Sequence, residues 1–317
     1  MKRVLAAMLA AGLLGTTVFA CDEGTELTLG LNEPIRVKHA QFFEGPLPGA
    51  APGTVVPGAP KITSVTLANP TVLPGQAGKK IDGRATSTAT AVGVRFADMG
   101  TGYWVVPTGA LDAQFPGEIG WQADCDFPFF AGAQPGNHLL RVVAIDANGN
   151  VGAQEETRLC LAPKVPDNLH ACDPSRPLPA AVVVLEWDDD VDLDLVALAP
   201  GGRVVDAKRP TVSGADGGVV VDPTGGAIDR DSNASCVPDG RRQEDLIFLA
   251  RPPAGATFDL YASLFSACGR RGAGFVLSVW EAQNGALQKT REQKGRVGPL
   301  DANGGKTLGL YVDSVTF

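Results

Sequence analysis

Carboxylates fall on alternate positions early in the second half of the chain, in Glu186-Trp187-Asp188-Asp189-Asp190-Val191-Asp192-Leu193-Asp194-Leu195. Successive side chains of a strand face opposite ways. Asp190, Asp192 and Asp194 therefore share one face, and Val191, Leu193 and Leu195 the other. Three carboxylates in a column repel one another unless a cation or heavy solvation relieves them. A charged sheet edge accounts for one or two such acids, but Asp188 and Asp189 make this run denser. A second patch, Asp229-Arg230-Asp231-Ser232-Asn233, again sets oxygen donors at alternate positions. The expected chemistry is an oxygen cage for Ca2+. Its ligands would be Asp190, Asp192, Asp194, Asp229, Asp231 and Asn233, completed by Glu244 or Asp245. The competing expectation is solvated acids that cap loops and repel partners.

Asp229, Asp231 and Asn233 follow the opening of an EF-hand loop, but Ala234 stands where that loop needs Gly and Gly240 where it needs a bidentate Glu. The site would be a looser cage. Asp146, Asn148 and Asn150 are read as a turn rather than a second calcium site. His39, His138 and His170 lack a neighbouring nucleophile motif, and no G-x-S-x-G, H-E-x-x-H or P-loop occurs. The expectation is a protein without catalytic residues. The alternative is an accessory module of a secreted hydrolase system, or a hydrolase working through carboxylates alone, since glycoside hydrolysis runs on two acids. Arg241-Arg242 and Arg270-Arg271 are expected to pair with local acids, and the sequon Asn233-Ala234-Ser235 carries no expectation of glycosylation.

The elements that position these groups begin with an export signal. Lys2 and Arg3 precede an apolar run from Val4 to Leu14, and small residues lead to Val18-Phe19-Ala20-Cys21. This three-part layout is that of a secretory signal, and the cysteine after the cleavage position resembles a bacterial lipoprotein signal. The resemblance implies cleavage after residue 20 and lipid attachment at Cys21, with a membrane anchor at either the inner or the outer membrane. Plain secretion is the alternative. Losing Lys2 and Arg3 from the 27 cations leaves 25 against 35 carboxylates, a net charge near −10. Such a surface excludes nucleic acid as a partner and favours metal ions or cationic groups. The remaining cysteines are Cys125, Cys160, Cys172, Cys236 and Cys268. In an exported chain they are read as disulfides. The preferred pairs are Cys125–Cys160 and Cys236–Cys268, with Cys172 odd and able to displace Cys125.

Abundant Gly and Pro, scarce aromatics and frequent turn signals mark an all-β chain. Residues 21–60 are expected to form an N-terminal segment and a flexible Pro/Gly/Ala-rich tether. Residues 61–162 are expected to form a β-sandwich whose core or margin takes Trp104 and Trp121. Its last strands run from Gly136 to Asp146, turn over Asn148-Gly149 and return. The wording x-V-x-A-x-D-x-x-G-N resembles the closing hairpin of bacterial Ig-like repeats, which implies that fold and no activity. Residues 163–179 form a Pro-rich connector. Residues 180–317 form a second, acidic β-sandwich, with hairpin turns at Asn284-Gly285 and Asn303-Gly304 and a closing strand from Lys306 to Phe317.

Trp187, Asp192, Asp194, Leu195 and Pro200-Gly201-Gly202 resemble the W-x-x-x-x-D-x-D-L opening of an uncharacterised family of exported bacterial β-sandwich domains. Gly217-Gly218, Asp229-Arg230-Asp231-Ser232-Asn233 and Glu244-Asp245 resemble, in turn, that family's later Gly-Gly pair, its D-x-D-like acidic loop and its carboxylate before the next strand. The resemblance implies no catalysis. The functional expectation is a membrane-anchored, non-enzymatic envelope lipoprotein that binds a protein, peptide or polysaccharide, stabilised by calcium.

Overall fold

A computed structural model describes residues 30–111, 113–128, 133–209, 212–213, 219–220 and 222–317. The signal, Cys21 and Gly217-Gly218 lie outside the described residues. The described chain is all-β, with no α-helix and two short 3-10 turns.

Ten strands form the first sandwich: β1 (Arg36–Val37), β2 (Gln41–Glu44), β3 (Ile62–Thr66), β4 (Thr71–Val72), β5 (Lys79–Thr86), β6 (Ala89–Phe96), β7 (Gly102–Leu111), β8 (Glu118–Asp126), β9 (Gly136–Asp146) and β10 (Glu155–Leu161). One layer is β3-β5-β8 with β1 on β8; the other is β7-β6-β9-β10-β4 with β2 on β7. β7 leaves the second layer for the first near Thr108, where its register with β8 shifts. Alternating side chains of both layers fill the core with Ile81, Val92, Val94, Phe96, Trp121, Phe127, Leu140 and Val142. Trp104 is partly buried against this core and donates Nε1–H to the Ile35 carbonyl at 2.7 Å. At the closing hairpin, Asp146 Oδ1 accepts from the backbone N–H groups of Asn148 and Asn150. The turn expectation therefore holds there. The Asn150 side-chain amide foremost, with those backbone bonds, holds the Asp146 carboxyl below its usual range.

Within residues 21–60, the described N-terminal segment and the start of the flexible tether expected from Gly45 to Pro60 both pack on this sandwich as far as Ala50, which corrects the tether. β1 pairs with β8 and β2 with β7. Leu47 is buried. Gln154 Nε2 donates to the Leu47 and Pro48 carbonyls at 2.9 and 3.2 Å. The Ala50 N–H donates to the Gly152 carbonyl, and the Ala50 carbonyl accepts from the Gln154 N–H. The segment lacks a period because it packs irregularly, not because it is unpacked. Among the described residues of the stretch, 51–59 form the mostly exposed turns expected of the tether.

The Cys125–Cys160 pair is also corrected. Cys160 bonds Cys172, with 5.7 Å between their Cα atoms, and Cys236 bonds Cys268 as expected. Cys125 is a buried free thiol, and burial pushes its pKa up to about 12. Its strand, β8, lies in one layer and its side chain points into the core, whereas Cys160 belongs to β10 in the other layer. A turn held by the Asp167 carboxylate on the Ala171 N–H brings Cys172 to Cys160 instead. The bridge pins the connector to the first sandwich. Non-reducing peptide mapping should recover Cys160–Cys172 and Cys236–Cys268, with Cys125 alkylated only after denaturation. Recovery of a Cys125–Cys160 peptide would contradict this.

The second sandwich comprises β11 (Ala181–Trp187), β12 (Asp192–Ala199), β13 (Arg203–Val205), β14 (Val212–Ser213), β15 (Val219–Val220), β16 (Ala227–Ile228), β17 (Gln243–Phe248), β18 (Thr257–Ser266), β19 (Ala273–Gln283), β20 (Ala286–Val297) and β21 (Leu310–Thr316). A five-stranded sheet, β16-β17-β11-β19-β20, faces a four-stranded one, β13-β12-β18-β21, and β14-β15 form a separate ribbon. Leu185, Leu193, Leu195, Leu246, Phe248, Leu260 and Leu277 meet between them. Asn284 and Gly285 take φ of 52° and 79°, as a tight β19–β20 hairpin requires. Asn303-Gly304, expected as a second hairpin, instead docks on β18, with the Asn303 N–H on the Leu264 carbonyl. The closing strand accordingly starts later, at Leu310.

Candidate metal centre

β12 obeys the alternation read from its residues. Leu193 and Leu195 enter the core, which leaves Asp192 and Asp194 on the outer face of the four-stranded sheet. Register slips at Asp192–Leu193, where Ser266 and Leu264 are the partners on β18 and Phe265 is skipped. Such a bulge re-aims side chains locally. Here it sets the Phe265 ring beside the two acids, in a cleft of about 370 Å³.

The loop after β16 supplies the third acid. Asp231 lies where one carboxylate oxygen from each of Asp192, Asp194 and Asp231 falls within 4.8 Å of the others. The loop is held by three devices. Ser235 N–H donates to Asp192 Oδ2 at 2.9 Å. Asn233 Nδ2 donates to the Val191 carbonyl at 3.1 Å. The Cys236–Cys268 bridge ties the loop to the end of β18.

Behind the acids stands Glu244, which shares its face of β17 with the core residues Leu246 and Phe248. It is fully buried. Its Oε2 accepts from Leu195 N–H at 2.7 Å and its Oε1 from Ser232 N–H at 3.1 Å. Burial, then the neighbouring Asp194 charge, lifts its carboxyl well above the usual range. Asp194 is raised to about 7 by burial and by the charges of Asp192 and Asp231. Burial also raises Asp192 and Asp231. The cleft thus gathers carboxyl groups that burial and one another's charge dispose to keep their protons.

The donor set fits a hard cation. Oxygens on opposite sides of one calcium stand about 4.8 Å apart, twice a typical Ca–O bond, and calcium tolerates irregular carboxylate cages. Solvent and the unpaired lone pairs of the three carboxylates would complete its coordination.

Three of the six expected ligands lie elsewhere. Asp190 sits in the bend before β12, not in the column, and pairs with Arg242 at 2.8 Å and Arg270 at 3.2 Å. Asp229 faces the other side of the five-stranded sheet. There it binds Arg230 and accepts from the Asp245 N–H at 3.1 Å. Asn233 has a left-handed backbone, and its side chain is spent on Val191 and on the Asp239 N–H. It braces the loop instead of facing the cleft. Asp245, the other candidate to complete the cage, is turned away by strand parity. Burial and Asp229 raise it to about 8. His138 and His170 bind Asp98 and the Arg176 carbonyl, as structural histidines do. Lys208 and Phe265, which line the cleft, carried no signal in the sequence, because only strand register brings them there.

No family model matches the chain, and no curated protein matches it. Among solved structures, the dimeric latent PorU of Porphyromonas gingivalis is 10% identical, over 84% of this chain and 20% of that one, with a TM-score of 0.20. The chain thus spans about a fifth of that protein's length. The fibronectin(III)-like modules of Clostridium thermocellum CbhA are 12% identical, over 74% and 93%, with a TM-score of 0.18. BcpA, the major pilin subunit of Bacillus cereus, is 9% identical, over 83% and 75%, with a TM-score of 0.21.

Proposed function

We propose that this chain is an exported, lipid-anchored and non-enzymatic protein of the bacterial cell envelope, whose second sandwich binds calcium in the Asp192–Asp194–Asp231 cleft. Its role is binding or structural, towards an envelope protein, peptide or polysaccharide. The observation that carries the metal reading is the convergence of Asp231, from the loop after β16, on Asp192 and Asp194 of the outer sheet face, with Glu244 buried behind them. Two disulfides suit an oxidising compartment. Calcium would supply the countercharge that lets the loop after β16 close over β12. Asp192 fixes that loop through Ser235, while Asp194 and Asp231 present oxygen to the ion.

The anchor rests on Cys21 and the apolar run before it. One acyl chain holds weakly and two or more hold stably, at about 0.8 kcal/mol per buried methylene. Metabolic labelling with a clickable fatty acid should tag the wild type and leave Cys21→Ala unlabelled. An unlabelled wild type found wholly in the aqueous phase would overturn the anchor. Turnover of a glycan or peptide that disappears in Asp192→Asn would overturn the non-enzymatic reading.

A further inference from the structure

The acid cleft carries a cation of its own. Lys208, on the turn after β13, lines the cleft with Asp192, Asp194 and Asp231. Its Nζ stands 4.6 Å from the centroid of the Phe265 ring. Gly305 helps make the room: a Cβ there would come within 2.9 Å of the ammonium and 3.3 Å of the ring. Among the described residues no carboxylate lies within ion-pairing distance of Lys208 Nζ. Its charge nevertheless acts on the cleft, holding down the pKa of Asp194 and Asp231 against burial.

This geometry is unlike an ordinary surface ion pair. An ammonium resting on an exposed aromatic face is held only weakly, so it is easily moved. An ion pair with one carboxylate would have tied Lys208 to a single acid; the ring instead holds it in the cleft that all three line. We propose that Lys208 is a tethered counter-ion, held at the mouth of the cleft by Phe265 in the metal-free protein and displaced when a divalent cation enters. The inference rests on the calcium reading of the same cleft. It adds that affinity is set by competition between the ion and the chain's own ammonium, which keeps the metal-free acids tolerable at the expense of metal affinity.

Lys208→Gln keeps most of the stem and removes the charge. The full chain and this variant are melted in EDTA and titrated calorimetrically with CaCl2 at low ionic strength. In EDTA the variant should melt about 2–4 °C lower, because three acids lose one of the cations that line their cleft. In the titration it should bind calcium roughly tenfold more tightly, so that the two melting temperatures converge or cross in millimolar calcium. Phe265→Leu should shift affinity the same way by a smaller factor, since it frees the ammonium without deleting it. Unchanged melting in EDTA together with unchanged affinity would overturn the proposal, as would weaker binding by Lys208→Gln. If neither protein binds calcium but the variant still melts lower in EDTA, the metal reading fails and Lys208 stands as a permanent counter-ion.

Discussion

Asp194→Asn should make the metal-free protein more stable. Asp194 is largely buried beside Asp192 and Asp231, and its carboxyl titrates near 7 where a free aspartate titrates near 3.8. Keeping it ionised at pH 8 therefore costs the folded state on the order of 4 kcal/mol. The amide is close in size and carries no charge. In EDTA at pH 8 the variant should melt roughly 5–10 °C above the wild type. Most polar-to-polar changes at a packed position destabilise, so the sign alone is informative. A variant that melts lower in EDTA would mean that Asp194 is a satisfied structural group, and that the cluster stores no repulsion.

Stability of the metal-free protein should fall as pH rises from about 4 to about 8, opposite to ordinary acid denaturation. The groups that matter are Asp194, raised to about 7, Asp245, raised to about 8, and Glu244, raised well above its usual range. In each the folded state holds a proton that the unfolded state has already released. Across this window the native state binds more protons, and unfolding free energy declines with pH. Below about pH 4 the sign reverses. There Asp222, held low chiefly by the Thr224 side chain and amide, and Asp206, held low by Arg209 against burial, take up protons and weaken the fold. Melting in EDTA at pH 5 and at pH 8.5 should give the higher temperature at pH 5, by roughly 10 °C. Calcium should narrow the gap by stabilising the ionised carboxylates, and should bind more weakly as pH falls below 7. A higher melting temperature at pH 8.5 in EDTA would contradict the account.

Period-two patterning carried the parts of this architecture that are regular. Leu193 and Leu195 alternating with Asp192 and Asp194 place the acids outside the core, and the same parity puts Glu244 with Leu246 and Phe248 while turning Asp245 away. Asp190 leaves the column because alternation holds only where a strand exists, and β12 starts at Asp192. The chain bends at Asp188–Asp190, where Asp188 accepts the Gly274 N–H at 2.8 Å and two arginines take Asp190. Asp229 was misplaced because it prolongs the β16–β17 pairing and so follows the opposite face. Residues 45–50 and the partner of Cys160 were illegible for a shared reason. Both depend on irregular segments whose contacts are set by distant strands, and no local period reports that. Lys208 meeting Phe265 depends on a bulge in β18 and a turn after β13, some 57 residues apart in the chain.

Calorimetric titration of calcium into the metal-stripped full chain at pH 8, with Asp194→Asn alongside, bears most directly on the cleft. One calcium per wild-type chain is expected, with saturating ion raising the melting temperature through ligand linkage and magnesium having the smaller effect. Asp194→Asn should show neither the binding heat nor the rise in melting temperature. A wild type that takes up no calcium, or a variant that binds it as tightly as the wild type, would contradict the assignment of Asp192, Asp194 and Asp231 as a metal centre.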